Sequence, residues 1–225
     1  LANSESLIVD KDITFKGKTT ATFGITGSGY LMFGNTTTSK AINVTVAEGS
    51  DVTFSGTSQG VNFRYGKDAN DKKIASTLTV NNARMATEGG ISSNGLITVK
   101  GAGVKGTYGI GKATDDTLDA KYLVANLASK NNITVKDRFD NYADDVALRL
   151  TDYAYVVAVN GISIGSEDGT ITSIVSVENS KIELINSSEN SSCAFRFTQA
   201  HGNKLQISGD SEVLVREFDF AKEGI

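Results

Sequence analysis

Apolar and small polar residues alternate along this chain in short bursts. Leu96-Ile97-Thr98-Val99-Lys100 sets the pattern, with a turn at Asn94-Gly95 before it and a glycine-rich turn, Gly101-Ala102-Gly103, after it. Its apolar–small polar–apolar centre recurs at Ile13-Thr14-Phe15, Val52-Thr53-Phe54, Leu78-Thr79-Val80, Ile133-Thr134-Val135 and Ile162-Ser163-Ile164. Looser copies stand at Ile182-Glu183-Leu184 and Leu205-Gln206-Ile207. Alternation with period two sends both apolar side chains to one face and the Thr or Ser to the other. β-Branched residues suit such a half-buried, pleated surface. A strand this short has no core of its own and becomes stable when similar strands stack beside it, so that their apolar faces form one column. The copies are unequally spaced, as they would be in a coil of constant cross-section with loops of variable length. The expected fold is therefore an all-β solenoid of stacked parallel strands. A β-sandwich or jelly roll built from many short strands is the alternative.

One segment breaks the alternation. Thr114 or Asp115 can cap a helix from about Asp116 to Ser129, with Leu118, Tyr122, Leu123 and Leu127 along one side. This helix is expected to lay its apolar stripe against the side or end of the β body. From Val146 to Phe220 the strands follow one another densely, with no linker between them, and a single domain over 1–225 is expected.

Composition agrees with stacked strands. The 225 residues include 23 glycines and no proline, where average usage of about 5% would give around eleven. Proline cannot donate to a sheet ladder. Apolar residues make up 39% and aromatics only 8%, which fits a narrow aliphatic core. The net charge is −4 and dispersed, without the basic block that nucleic-acid binding requires. No apolar run is long enough for a membrane span. No signal peptide is visible, and the start at Leu1-Ala2-Asn3-Ser4 fits a mature or trimmed chain. The single cysteine, Cys193, cannot form an internal disulfide and reads as a small buried hydrophobe.

Candidate chemistry is sparse. Gly101-Ala102-Gly103-Val104-Lys105-Gly106 matches GxGxxG, but a dinucleotide site needs the helix to begin inside the motif. Gly106 to Lys112 matches GxxxxGK, but Ala113 replaces the Ser or Thr that would hold magnesium. Both strings read as turns. His201 is the only histidine and lies in a turn, so a site with several histidine ligands is excluded. The loop from Gly66 to Ala75 carries Asp68, Asn70 and Asp71, but Lys72 and Lys73 stand where a calcium loop needs further oxygen donors. It reads as a solvated loop. Asn-x-Ser/Thr strings such as Asn35-Thr-Thr are expected by chance. No cofactor or metal site is expected.

Two groups remain as ligand-binding candidates. Asp137, Asp140, Asp144 and Asp145, with Asp152 nearby, form the densest carboxylate cluster, beside Arg138 and Arg149. Paired carboxylates can cleave glycosidic bonds or hold calcium, although acidic residues are also commonplace in polar turns. With no Trp, the exposed platforms that sugars stack on would have to be tyrosines: Tyr30, Tyr65, Tyr108, Tyr142, Tyr153 and Tyr155. Tyr153 and Tyr155 flank Ala154, and strand alternation would put them on one face; all six of these tyrosines equally suit core or cross-strand packing.

The Ile/Val-Thr-Val/Phe strands, and turns such as Ala47-Glu48-Gly49-Ser50-Asp51 before Val52, resemble the pectate-lyase-like right-handed β-helix of bacterial surface adhesins and autotransporter passengers. The resemblance implies an extracellular, surface-displayed role in binding or spacing, with a glycan or host surface as ligand. Enzymes of the same architecture are also carbohydrate-active, which makes a lyase or hydrolase the alternative. Pectate lyases use a proline-containing Arg-x-Pro motif, and this chain has no proline. Of the polygalacturonase-like series, Asp115-Asp116 and Asp144-Asp145 occur, but Asn-Thr-Asp, Gly-His-Gly and Arg-Ile-Lys do not.

Overall fold

The computed structural model describes residues 6–25, 28–38, 40–57, 59–111, 114, 117–135, 146–165, 172–185, 194–198, 203–215 and 217–220, the last four by backbone only. The chain visits three parallel sheets, A, B and C, in strict rotation. The first coil is β1 (Leu7–Val9), β2 (Ile13–Phe15) and β3 (Lys18–Ile25), and the second is β4 (Leu31–Phe33), β5 (Asn43–Val46) and β6 (Asp51–Thr57). In the third, β7 (Gly60–Phe63) leads into a hairpin, β8 (Tyr65–Lys67) and β9 (Lys73–Ala75), before β10 (Thr77–Asn81) and β11 (Arg84–Thr87). The fourth holds β12 (Gly90–Ser93), β13 (Ile97–Lys100), helix α1 (Leu118–Val124) and β14 (Leu127–Ser129). Next come β15 (Asn132–Val135), β16 (Val146–Thr151) and β17 (Tyr155–Val159), then β18 (Gly161–Gly165), β19 (Ile174–Glu178) and β20 (Lys181–Ile185). The last full coil is β21 (Ala194–Thr198), β22 (Lys204–Ser208) and β23 (Glu212–Leu214), and β24 (Glu217–Phe220) opens another. Among the described residues sheet A has eight strands, and sheets B and C have seven each. No opposed antiparallel layers occur among the described residues, so the all-β parallel solenoid holds and the sandwich alternative falls.

Register explains the stability. In sheet A, Leu31, Val61, Ile91, Ile133, Ile162 and Phe195 are successive partners. In sheet B the column is Val44, Leu78, Ile97, Leu148, Val175 and Leu205. In sheet C it is Val52, Met85, Leu127, Val156, Ile182 and Val213. These columns face inward and, away from the ends, are fully buried. Each such side chain contributes about 1.5–3 kcal/mol over leaving it exposed. Toward the N-terminal end the filling turns aromatic: Phe54 packs edge-on to Phe15 with centroids 5.3 Å apart, and Phe33 stacks on Phe63 at 5.2 Å. Thr14, Thr45, Thr79 and Thr98 form the matching polar ladder on the outside of sheet B.

The helix is shorter than the sequence suggested. It spans Leu118–Val124, its cap is Thr117, whose hydroxyl accepts from the Ala120 amide, and Ala125 is already extended. Leu127 belongs to β14, where its side chain fills the core gap between Met85 and Val156. The inward column thus overrides helix propensity. Leu123, expected on the packed side, is 60% exposed. The loop expected at 66–75 is largely the paired β8–β9 hairpin, with its turn at 68–72, where Asp68 Oδ1 accepts from the Asn70 and Lys72 amides.

Candidate functional site

The turns from sheet B to sheet C are short in every coil but one. Between β13 and β14 the chain makes an excursion over residues 101–126, and α1 is part of it. The outer face of sheet C is built to receive it. Thr20 and Thr53 begin the outward column, but Ala86, Ala128 and Val157 continue it. Tyr122 and Ala125 pack on these three, together with Tyr155. Tyr122 lies between two cations, with Arg84 5.5 Å and Lys130 4.8 Å from its ring centre. Burial pushes its phenol up to about 12.

Beyond Val157 the same outward column continues to Glu183 and Leu214. A cavity of about 470 Å³ opens there, between the excursion and the sheet. Gly106, Thr107, Tyr108 and Gly111 form its loop wall, Lys121 and Val124 its helix wall, and Tyr155, Lys181, Glu183 and Leu214 its floor. Small-molecule sites commonly have volumes of about 300–1,000 Å³.

Glu183 is the centre of this site and is only 7% exposed. Its Oε1 accepts from the Lys121 ammonium, and its Oε2 accepts from the Tyr155 hydroxyl at 2.6 Å. Lys181 lies 3.5 Å from the same Oε2 and 3.4 Å from Glu212, with its ammonium 5.3 Å from the Tyr155 ring centre. Burial by itself would raise the Glu183 carboxyl. The Lys121 and Tyr155 hydrogen bonds and the Lys181 charge outweigh burial and hold it below its usual value, so it stays ionised.

The loop wall is pinned to the corner three coils on. Lys105 pairs with Asp210 at 2.7 Å, and the Tyr108 hydroxyl donates to the Asp210 carbonyl at 3.0 Å. Lys105 also holds the Asp210 carboxyl below its ordinary value. The glycines of the GxGxxG string serve this route. A Cβ on Gly101 would come within 2.3 Å of the Asp152 carbonyl oxygen, and α1 begins well after the motif.

Tyr155 stands in β17 and its ring forms part of the cavity floor. Tyr153 does not share its face: with φ +63° it occupies the turn before β17, and its ring packs on Tyr108 at 5.9 Å. A left-handed residue interrupts the alternation that the strand reading assumed. Asp152, also in that turn at φ +57°, lies 3.7 Å from Lys100. Asp137, Asp140, Asp144 and Asp145 fall between β15 and β16, where the chain passes from sheet A to sheet B, and lie outside the described residues, as do His201 and Cys193. Sequence reasoning passed over Lys121, Lys181 and Glu183. The available signal was Glu183 itself, the one carboxylate at the centre of an otherwise Thr, Ser or Gln triplet. Among the described residues no group of three or more His, Cys, Asp or Glu could hold a metal ion, and no helix is long and apolar enough to cross a membrane. No family model matches the chain, and neither a curated protein nor a solved structure matches it.

Proposed function

We propose that this chain is a single-domain, right-handed β-helix of the kind found in bacterial surface adhesins and autotransporter passengers. It acts outside the cell, secreted or on the surface, by holding a glycan of a host or neighbouring surface without cleaving it. Crossovers between parallel strands of one sheet are overwhelmingly right-handed, which supports the hand. The polar ladder on sheet B supports a solvent-facing rod.

One observation carries the binding role: the cavity sets two tyrosines beside a fixed carboxylate and two ammonium groups. The Tyr108 face takes the C–H face of a sugar ring, and the charged groups hydrogen-bond its hydroxyls. Glu183 does not fit the general-acid role that glycoside cleavage requires. A general acid needs a raised pKa, and this carboxylate is held in the opposite direction.

A glycan array probed with the labelled protein tests the proposal. Retention of at least one glycan, weakened by Tyr108→Ala, is the expected result. No retained glycan, together with unchanged cell attachment after deletion, would count against it. Release of reducing or unsaturated ends from a polysaccharide panel, abolished by Asp144→Ala and Asp145→Ala, would move the function to the alternative, a carbohydrate-active enzyme.

A further inference from the structure

The hydrogen-bonding capacity of the cavity is one-sided. A carboxylate offers about four lone-pair sites and an ammonium three N–H donors. Glu183 is occupied by Lys121 and Tyr155 and faces Lys181 as well. Lys121 directs one N–H at Glu183. Lys181 is held between Glu183 and Glu212 at 3.5 and 3.4 Å, both long for a direct N–H···O bond. Glu212 stands at the rim, its side chain 49% exposed. Two ammonium groups with donors to offer therefore face the cavity, against one carboxylate whose acceptor sites are mostly occupied. Thr107 and the tyrosine faces do not alter that balance.

From this arrangement we infer that the cavity selects a sugar ring bearing an anionic oxygen group, carboxylate or sulfate, which bridges Lys121 and Lys181 while the ring lies against Tyr108. The inference rests on the glycan reading above and narrows it to a ligand class. Glu183 acts as a positioning residue: it holds both lysines at one spot and leaves the anion to the ligand. A cationic sugar would meet two ammonium groups. A neutral one would offer weaker acceptors to their remaining N–H donors in a half-enclosed site.

The test compares three arms on one array: neutral galactose and glucose, the carboxylates glucuronic acid and N-acetylneuraminic acid, and galactose 6-sulfate. Retention in an acidic arm with little in the neutral arm is expected, and the two acidic arms tell carboxylate from sulfate. Loss of one charge-assisted hydrogen bond in Lys181→Met should weaken acidic binding about tenfold or more. Lys121→Met should act in the same direction. Lys181 is on the sheet, so its variant keeps the test valid even if Lys121→Met loosens α1. A thermal melt of each variant confirms folding. Equal retention of neutral sugars, or acidic binding that ignores both substitutions, overturns the inference and leaves the glycan reading standing. An array with no retained glycan overturns the inference, and with unchanged cell attachment after deletion it overturns the glycan reading as well.

Discussion

Replacing Glu183 with Gln tests whether the excursion is latched by charge. In the wild type the carboxylate receives the Tyr155 hydroxyl at 2.6 Å and the Lys121 ammonium, with Lys181 at 3.5 Å. Charge-assisted hydrogen bonds contribute about 1.5–3 kcal/mol each. Gln keeps one acceptor, loses the second, and turns an NH₂ toward an ammonium. The lysine side chains are 24% and 20% exposed, so solvent screening puts the cost near the lower end, about 2 kcal/mol. The effect must also depend on pH. The folded-state carboxyl lies below its ordinary 4.5. Its contribution is therefore complete above pH 4.5 and disappears as pH falls through the lower folded value. Gln does not titrate. Denaturant midpoints of wild type and Glu183→Gln should differ clearly at pH 7 and converge toward pH 3. Hydrogen exchange at the Lys121 and Ala125 amides should speed up in the variant at pH 7. An equal gap at both pH values, or none at pH 7, would refute the electrostatic latch.

Other substitutions probe the stack itself. Phe54→Ala, at a fully buried site ringed by Phe15, Phe23 and Phe33, should cost about 3–5 kcal/mol by denaturant titration. Gly60→Ala should cost about 3 kcal/mol or more, because φ is +116° and the new methyl would come within 1.9 Å of the Gly90 carbonyl oxygen. Asn126→Ala should cost about 2–4 kcal/mol, since the side chain donates to the Ala83 carbonyl at 2.8 Å and accepts from the Tyr155 amide at 3.0 Å. Tyr122→Phe should raise stability by about 1 kcal/mol, because its buried hydroxyl has no hydrogen-bond partner among the described residues.

The triplets were legible because burial alternates strictly along a half-buried strand. Those from Ile13 to Leu205 all fall in strands. What they could not reveal was which sheet each belonged to. Leu78 stacks directly on Ile97 in sheet B and Ile133 on Ile162 in sheet A, whereas Val52 and Ile182 lie in sheet C. The uneven spacing therefore mixes two causes: triplets drawn from three sheets, and corners of different length. The excursion was visible as a break in pattern, but its end was misread, because only the neighbouring coils reveal that Leu127 must return to the core. The cavity was legible only in part. Tyr155 stood out as an aromatic, while Lys121 and Glu183 are far apart in sequence and meet through the docking of α1. The run Tyr155-Val156-Val157-Ala158-Val159 held one clue, since a strand apolar on both faces has something covering its outside.

The corner between sheets B and C leaves the scaffold indifferent to what is hung on it. Strands β13 and β14 keep step with the coils on either side although residues 101–126 intervene. Any segment that departs and returns at those two points can replace them without disturbing the spine, provided it covers Ala86, Ala128 and Val157. Transplanting this span between coils of the same build is thus a direct way to change what lies over sheet C while leaving the spine intact.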